Sequence, residues 1–264
     1  MLRLGLIGLG AIGGEVIAAA GRGELPGVIV PAVLVRRPRP GTADRLVTAD
    51  AEAFFGESFD VVLECAGHQA VRDHGARVLD SGSDLLVTSA GALTDETLFN
   101  LLLAAAEQGK SRLVVPSAGI GALDILAGSA VGGLDEVAVT VRKDPLSWKG
   151  TEAESAHDLD RLAGPVTLYD GPVRDGARRY PENVNISAAA ALAGIGLDRT
   201  RLVIVADPGI STHVVEIAAR GRFGSFAFRE EVIPTDSNPK TGRLVAMAVV
   251  KTVRQLASRF VVGG

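Results

Sequence analysis

Residues 2–13 read LRLGLIGLGAIG, an apolar run followed at once by three glycines spaced two and three residues apart. The run predicts a strand that ends at Ile7. A dinucleotide-binding turn needs a sharp bend, then a backbone position open to pyrophosphate, then a close contact between helix and strand, and glycine allows each of these because it lacks a Cβ. The helical pattern that follows would point its first N–H groups and its positive dipole end at the phosphates. The predicted contacts are Gly8, Gly10, Ala11, Ile12 and Gly13.

Up to residue 115 the chain alternates between continuous apolar strands and amphipathic helices. This alternation is typical of a parallel sheet covered on both faces, and right-handed crossovers make such a sheet doubly wound, as in the Rossmann fold. A cofactor crevice is then expected beyond the carboxyl ends of the strands. The turns that would surround it begin at Gly8, Arg36, Cys65, Ser89 and Pro116.

After Leu123 the pattern changes to strands in which apolar and polar residues alternate. Such strands indicate a second α/β domain built on an open, mostly antiparallel sheet. The predicted strands are 136–142, 166–169, 201–206, 213–220 and 224–231, and the only predicted helix in this stretch covers 186–193.

A final helix is predicted to begin with Asn238 as its N-cap and Pro239 at its first position. Its apolar stripe, which includes Val250 and Val253, should pack back on the N-terminal domain. We therefore expect one domain made of residues 1–120 and 239–264, and a second made of residues 121–238.

Composition excludes several classes of partner. The net charge is −4 and long runs of Lys or Arg are absent from the sequence, which argues against a nucleic-acid binder. No apolar stretch reaches the length of about 18 residues that a membrane span needs, and the N-terminus lacks the pattern of a secretory signal. The single cysteine, Cys65, excludes a disulfide within the chain. We expect a soluble, cytoplasmic protein that acts on small molecules.

The end of the second strand bears on the choice of cofactor. NAD-selective folds usually place a carboxylate there for the adenosine 2′-OH, whereas this chain has Arg36 and Arg37. A guanidinium could pair with the 2′-phosphate of NADP in bidentate fashion. The alternative is a solvated basic loop.

Residues 64–68, Glu-Cys-Ala-Gly-His, follow another predicted strand and should border the nicotinamide half of the crevice. The small residues Cys65 and Ala66 would let a cofactor approach. A thiol nucleophile needs a base and an electropositive setting, which the local sequence does not display, so a packing role for Cys65 is favoured. His68 is a candidate substrate ligand, a helix cap or a surface group.

A second turn of small residues spans 116–124, and its backbone N–H groups could grip a carboxylate or an amide, or could merely allow the chain to cross between domains. Among the four histidines, His213 lies in a loop that closes on a predicted strand. Imidazole has an ordinary pKa of about 6.5, which suits proton transfer. The spacing of the histidines and the cysteine matches no metal-site motif, so no metal is expected.

With these segments described, the chain resembles the L-aspartate dehydrogenase family over nearly its whole length. The matching segments occur in the family's order. They are 8–13 (GLGAIG), 64–68 (ECAGH), 120–124 (IGALD), 180–185 (YPENVN), 206–208 (ADP) and 238–241 (NPKT).

The resemblance implies roles for particular residues. Ala122 and Asn185 would contact the nicotinamide end of NAD or NADP, and His213 would be the catalytic residue. It also implies a Rossmann domain and a second domain that binds substrate and carries the contact of a homodimer or larger homo-oligomer. The reaction would interconvert L-aspartate with iminoaspartate, or with oxaloacetate and ammonia, and could feed NAD biosynthesis.

Some alternatives stay open at this stage. The substrate carboxylates need cations, for which Lys143, Arg142 and Lys240 are candidates. A different two-domain reductase, acting on homoserine, aspartate semialdehyde or dihydrodipicolinate, would share the nucleotide turn. A non-catalytic dinucleotide sensor would keep that turn too, but would give His213 no task.

Overall fold

In the computed structural model, the apolar run that opens the sequence forms strand β1, Leu2–Ile7, near the middle of a parallel sheet. The structure describes residues 1–37, 45–117, 120–181, 184–235 and 238–263, without the side chains of 238–241. The chain divides into two compact units, of which the first comprises Met1–Ala118 and Ala246–Gly264 and the second Gly119–Val245.

In the part of the first unit that the structure describes, seven parallel strands form one sheet. Besides β1 they are β2 (Val28–Ile29), β3 (Ala32–Leu34), β4 (Leu46–Thr48), β5 (Val61–Glu64), β6 (Asp84–Val87) and β7 (Leu113–Val114). Their order is β4-β3-β1-β5-β6-β7, with β2 also paired to β1. The chain between β2 and β3 contains Pro31, which has no N–H to give to a ladder. The doubly wound fold predicted from the sequence is confirmed.

Helices connect these strands. They are α1 (Ala11–Gly21), α2 (Ala51–Phe55), α3 (His68–Asp80) and α4 (Glu96–Gly109). Two of them begin at carboxylate caps, because Asp50 accepts a hydrogen bond from the N–H of Glu52 and Asp95 accepts one from that of Leu98.

The second unit is built on a five-stranded sheet. Its helices are α5 (Leu123–Gly132), α6 (Glu152–Ala156), α7 (Val173–Arg179) and α8 (Asn185–Ala193), and its strands are β8 (Leu134–Lys143), β9 (Val166–Pro172), β10 (Arg201–Ala206), β11 (His213–Gly221) and β12 (Gly224–Val232). The order is β12-β11-β8-β10-β9, in which only the β8–β10 pair is parallel. The predicted open, mostly antiparallel sheet is confirmed.

Helices α5, α6 and α7 were not expected from the sequence. In α7 the helix contains Gly176, a poor helix former. A Cβ at this position would lie 2.6 Å from a methyl carbon of Leu202 and 2.9 Å from the ring of Tyr169. The glycine is therefore explained by the close approach of α7 to β9 and β10, which local sequence does not reveal.

The predicted start of the last helix is wrong. Residues Asn238–Gly242 form strand β14, paired with β13 (Pro234–Thr235), and helix α9 begins only at Arg243 and ends at Ala257. The N–H of Arg243 donates to the carbonyl of Ile233 at 2.9 Å, so strand pairing outweighs the capping preference of Asn and Pro. Further along, α9 buries Val249, Val250 and Val253 in the core of the first unit. Among the described residues, no helix combines the length and apolar character needed to cross a membrane.

Candidate active site

The glycine turn after β1 has the geometry that a nucleotide requires. Gly8 has φ +108°, and a Cβ there would lie 2.7 Å from the carbonyl oxygen of Cys65. At Gly13 a Cβ would lie 2.4 Å from the carbonyl oxygen of Gly8, so α1 can sit this close to the turn only without a side chain. A Cβ on Gly10 would meet no atom within 4 Å, which leaves open space beside the backbone. These three positions fit the bend, the close packing and the open approach that a pyrophosphate needs.

The start of α1 is suited to an anion. Gly10 is its N-cap and supplies no side chain to the helix N–H groups, and its first turn, which begins with Ala11 and Ile12, carries no acidic residue. The first N–H groups of a helix and its dipole favour negative charge. The predicted phosphate contacts therefore lie together at one helix end.

Cys65 packs under this turn. Its N–H donates to the carbonyl of Ile7 at 2.9 Å, and its thiol lies 3.4 Å from the carbonyl oxygens of both Ile7 and Gly8. Burial, with a contribution from the neighbouring Glu64, raises the pKa of the thiol to about 12. A thiol with this pKa is not ionised near neutral pH, which supports a packing role and argues against a nucleophile.

Three other predicted residues, at two positions, lie at the same edge of the sheet. Arg36 and Arg37 follow β3 and are exposed. Residues 38–44, with which this basic stretch continues, lie outside the described residues. His68 is the first residue of α3, directly after Gly67 with φ +113°, and is half-buried. Both positions border the carboxyl ends of strands adjacent to β1.

In the second unit, His213 and Lys143 lie at one end of the five-stranded sheet. His213 begins β11 and Lys143 ends β8, and Val214 pairs in register with Arg142. Lys143 is also paired with Ala206, the last residue of β10. Both ionisable side chains are buried, with exposed fractions of 6% for His213 and 4% for Lys143. The fold thus brings two predicted functional residues to the same sheet end.

The ammonium group of Lys143 faces an aromatic cluster. Its Nζ is 5.5 Å from the centre of the Trp148 ring, which is itself edge-on to Tyr180 at 6.0 Å. A cation over the face of a tryptophan is attracted by the electron density of the ring. Tyr180, the first residue of one of the segments that carry the family resemblance, therefore shares a cluster with Lys143.

Arg142, the neighbouring candidate for a substrate carboxylate, is paired with a carboxylate of the chain itself. Its Nη1 donates to Oδ2 of Asp207 at 2.9 Å, and Oδ1 of the same carboxylate accepts from the N–H of Gly209 at 2.8 Å. The Gly209 N–H, followed by Arg142, holds the pKa of Asp207 below its usual value. Arg142 therefore shapes the loop that leads into His213, and its charge is shared with a carboxylate of the chain itself.

The two residues expected at the nicotinamide end both lie at helix starts. Ala122 is the N-cap of α5 and fully buried, and Asn185 is the first residue of α8. The two helices pack against each other. Residues 118, 119, 182 and 183 of the neighbouring segments lie outside the described residues, as does the side chain of Lys240.

Glu230 is a residue that sequence analysis missed. It lies on the half-buried face of β12, paired in register with Val215, and both its carboxylate oxygens are buried without a side chain donating to them in the described parts of the chain. Burial raises the pKa of this carboxyl to about 7, against the opposing effect of the Gly121 N–H. A single glutamate in a strand of alternating apolar and polar residues does not reveal that its carboxyl is buried with a raised pKa. Within the described ranges, no group of three or more His, Cys, Asp or Glu side chains is arranged to hold a metal ion.

Comparison with known proteins finds a matching family model for each half of the chain. Residues 8–116 match the family model described as the NAD-binding domain of homoserine dehydrogenase, and residues 124–256 match the model described as the C-terminal part of aspartate dehydrogenase. An L-aspartate dehydrogenase of Ruegeria pomeroyi is 42% identical over 96% of this chain and 92% of its own length. Another, from a Polaromonas species, is 39% identical over 96% of this chain and 97% of its own length.

The chain belongs to the L-aspartate dehydrogenase family. The predicted family, the NAD or NADP cofactor and an oxidoreductase of the CH–NH2 group are confirmed by these matches. A crystal structure of aspartate dehydrogenase from Thermotoga maritima covers all of both chains with a TM-score of 0.78 at 20% identity, which confirms the fold. The roles predicted for individual residues of this family member are not tested by the comparisons and stay predictions.

Proposed function

We propose that this chain oxidises L-aspartate with NAD or NADP to iminoaspartate, which water converts to oxaloacetate and ammonia, and that it also runs the reverse reaction. The observation that carries the proposal is the match to L-aspartate dehydrogenases over 96% of the chain. The buried His213 at the sheet end adds the proton-transfer group that such a reaction uses. Other two-domain reductases share the fold, and residues 8–116 match the NAD-binding model of homoserine dehydrogenase, but the match of residues 124–256 to the C-terminal part of aspartate dehydrogenase favours aspartate over their substrates.

The residues of the nucleotide-binding unit would hold the cofactor. The proposed contacts are the backbone of Gly8, Gly10, Ala11, Ile12 and Gly13, with Cys65 and Ala66 on the neighbouring turn and Ala122 and Asn185 at the nicotinamide end. NAD or NADP, when bound, accepts a hydride from Cα of aspartate. Arg36 is the proposed contact for a 2′-phosphate, so replacing it with alanine should lower the preference for NADP over NAD.

His213 is proposed as the acid–base residue. The α-amino group of aspartate arrives as an ammonium ion and must lose a proton before Cα can give up a hydride. A neutral imidazole can accept that proton, and the imidazolium can return it when water attacks the imine carbon and ammonia leaves. Of the predicted substrate ligands Lys143, Lys240 and His68, Lys143 is the strongest, because its buried ammonium lies at the same sheet end as His213 and can attract a substrate carboxylate.

Further parts of the proposal concern the whole protein. We assign nucleotide binding to residues 1–120 with 239–264, and substrate binding with oligomer contacts to residues 121–238. The protein would work in the cytoplasm as a homodimer or larger homo-oligomer, with L-aspartate, oxaloacetate and ammonia as its small-molecule partners. Its iminoaspartate could enter NAD biosynthesis.

The direct test follows the absorbance of the reduced cofactor. Purified protein is mixed with L-aspartate and NAD or NADP, and separately with oxaloacetate, ammonium and NADH or NADPH. We expect turnover in both directions, and none with D-aspartate, L-glutamate or L-homoserine. Tight NADH binding without turnover of any of these substrates would contradict the proposal and favour a dinucleotide sensor.

A further inference from the structure

The carboxylate of Glu64 is one of the most buried charged groups described, with an exposed fraction of 1% at the end of β5. Its Oε1 accepts hydrogen bonds from the N–H of Ala66 and of Gly67, both at 2.8 Å, and from Oγ of Ser89 at 2.9 Å. Its Oε2 accepts a fourth, from the N–H of Ser89 at 3.1 Å. Nothing in the function described above uses this residue.

Three of the four partners are backbone N–H groups, which can only donate. Because Ala66 and Gly67 follow β5 and Ser89 follows β6, the side chain links two segments. These segments follow neighbouring parallel strands. The backbone adds to this link, because the carbonyl of Glu64 accepts from both the N–H and Oγ1 of Thr88, at 3.2 and 3.0 Å.

The turn that Glu64 holds packs directly on the glycine turn. A Cβ on Gly8 would lie 2.7 Å from the carbonyl oxygen of Cys65 and 3.0 Å from Cβ of Ala66. The two turns are closely packed, so a shift of residues 65–67 must either displace Gly8 or leave a gap beside it.

The place of this contact in the sheet makes it relevant to ligand binding. Strand order runs outward in opposite directions from the β1–β5 pair, with β3 and β4 on one side and β6 and β7 on the other. In open α/β sheets the ligand crevice lies at such a reversal, beyond the carboxyl ends of the strands. The Gly8 turn and the turn at 65–67 are the two segments that leave these ends.

We propose that Glu64, assisted by Ser89, is a positioning residue of the nucleotide site, which sets the turn at 65–67 against the Gly8 turn so that both fit the bound dinucleotide. Glu64 does not touch the reacting atoms in this account. The proposal deepens the function given above, since it rests on NAD(P) binding at this crevice, but it does not depend on which substrate is oxidised.

The test measures the dissociation constant of NADH by fluorescence titration for the wild type and for Glu64→Ala, Glu64→Gln and Ser89→Ala. Loss of all four hydrogen bonds in Glu64→Ala should weaken NADH binding about tenfold or more, because small displacements at a binding site are costly. Glu64→Gln keeps one acceptor oxygen but presents an NH2 group to donors, so we expect an intermediate loss. Glu24→Gln, at an exposed carboxylate of the same unit, should bind NADH as the wild type does.

The outcomes separate positioning from general stability. Positioning predicts a raised KM for the nucleotide with kcat and the KM for L-aspartate much less changed, measured well below the unfolding temperature of each variant. A lowered unfolding temperature with wild-type affinity for NADH would overturn the proposal. Should Glu64→Ala fail to fold, Ser89→Ala decides, with a roughly threefold weaker binding expected from the loss of one hydrogen bond and unchanged binding as the contrary result.

Failure of this proposal and failure of the proposed function are distinguishable. NADH titration needs no substrate, so it tests Glu64 even if L-aspartate is not turned over. Conversely, if the wild type oxidises aspartate and the Glu64 variants bind NADH normally, the proposed function stands and only the positioning role is removed.

Discussion

The three glycines of the segment 8–13 have different physical tasks, and the structure separates them. Gly8 and Gly13 are required by the fold itself, since a Cβ at either would lie under 3 Å from backbone atoms. Gly10 has no such neighbour. The requirement at Gly10 is therefore expected to come from the ligand.

This difference gives a matched pair of variants at the residue scale. Gly13→Ala should lower the unfolding temperature, with a destabilisation of about 2 kcal/mol from overpacking against the Gly8 carbonyl. Gly10→Ala should change stability little but weaken NADH binding about tenfold, because the added methyl occupies the approach to the backbone. Thermal unfolding and fluorescence titration of both variants check this. If both substitutions weaken NADH binding equally under conditions where the two variants are equally stable, the need for glycine at position 10 does not come from the ligand.

His213 provides the second prediction at this scale. Replacing it with alanine should lower kcat by roughly 10²–10⁴-fold, the contribution usual for a positioned acid–base group. NADH affinity should stay close to that of the wild type, because the predicted nucleotide contacts are elsewhere. His157→Ala, at the end of the short helix α6, is the control and should keep full activity. Near-wild-type kcat in a folded His213 variant would remove the proposed acid–base step.

At the element scale, β12 carries a buried carboxyl that should make stability depend on pH. The pKa of Glu230 is raised from 4.5 to about 7 in the folded protein, so the folded state keeps a proton that the unfolded chain releases between these values. The stabilisation is complete below pH 4.5, falls as pH rises, and is lost above pH 7. The full shift corresponds to roughly 3 kcal/mol, and because part of the side chain faces solvent we expect about half of that.

The variant Glu230→Gln isolates this effect. Because glutamine does not titrate, the free energy of unfolding of the wild type should fall relative to the variant between pH 5 and pH 8. Urea unfolding at both pH values measures the difference. Glu231→Gln, at the exposed neighbouring position of the same strand, is the matched control for the substitution itself. Parallel pH dependence of the wild type and Glu230→Gln would show that the carboxyl ionises normally.

Individual helices and strands show where sequence patterns are enough to predict the structure. The β1–α1 unit was predictable because its glycine spacing and apolar run are local and specific. The start of α9 was not, because Asn238 and Pro239 have the preferences of a helix N-terminus, whereas the pairing of β14 with β13 is not visible in these local preferences. Helix α7 was not predicted for a similar reason. Gly176 is favoured there by the nearness of Tyr169 and Leu202 and not by its helix propensity.

At the scale of the whole molecule, the fold class and family followed from the sequence, because alternating strand and helix patterns extend over the first unit and motif segments recur along nearly the full chain. The placement of Lys143 and His213 at one sheet end could not be derived from the sequence between them, since strand register decides it. The same holds for the ion pair of Arg142 with Asp207, which lie 65 residues apart in the sequence.

The central claim is that this chain moves a hydride from Cα of L-aspartate to a nicotinamide. The most direct measurement uses L-aspartate deuterated at Cα with NAD or NADP, followed by mass spectrometry of the reduced cofactor. We expect one deuterium in each molecule of reduced cofactor. Reduced cofactor without deuterium, or no reduction by L-aspartate at all, would contradict it.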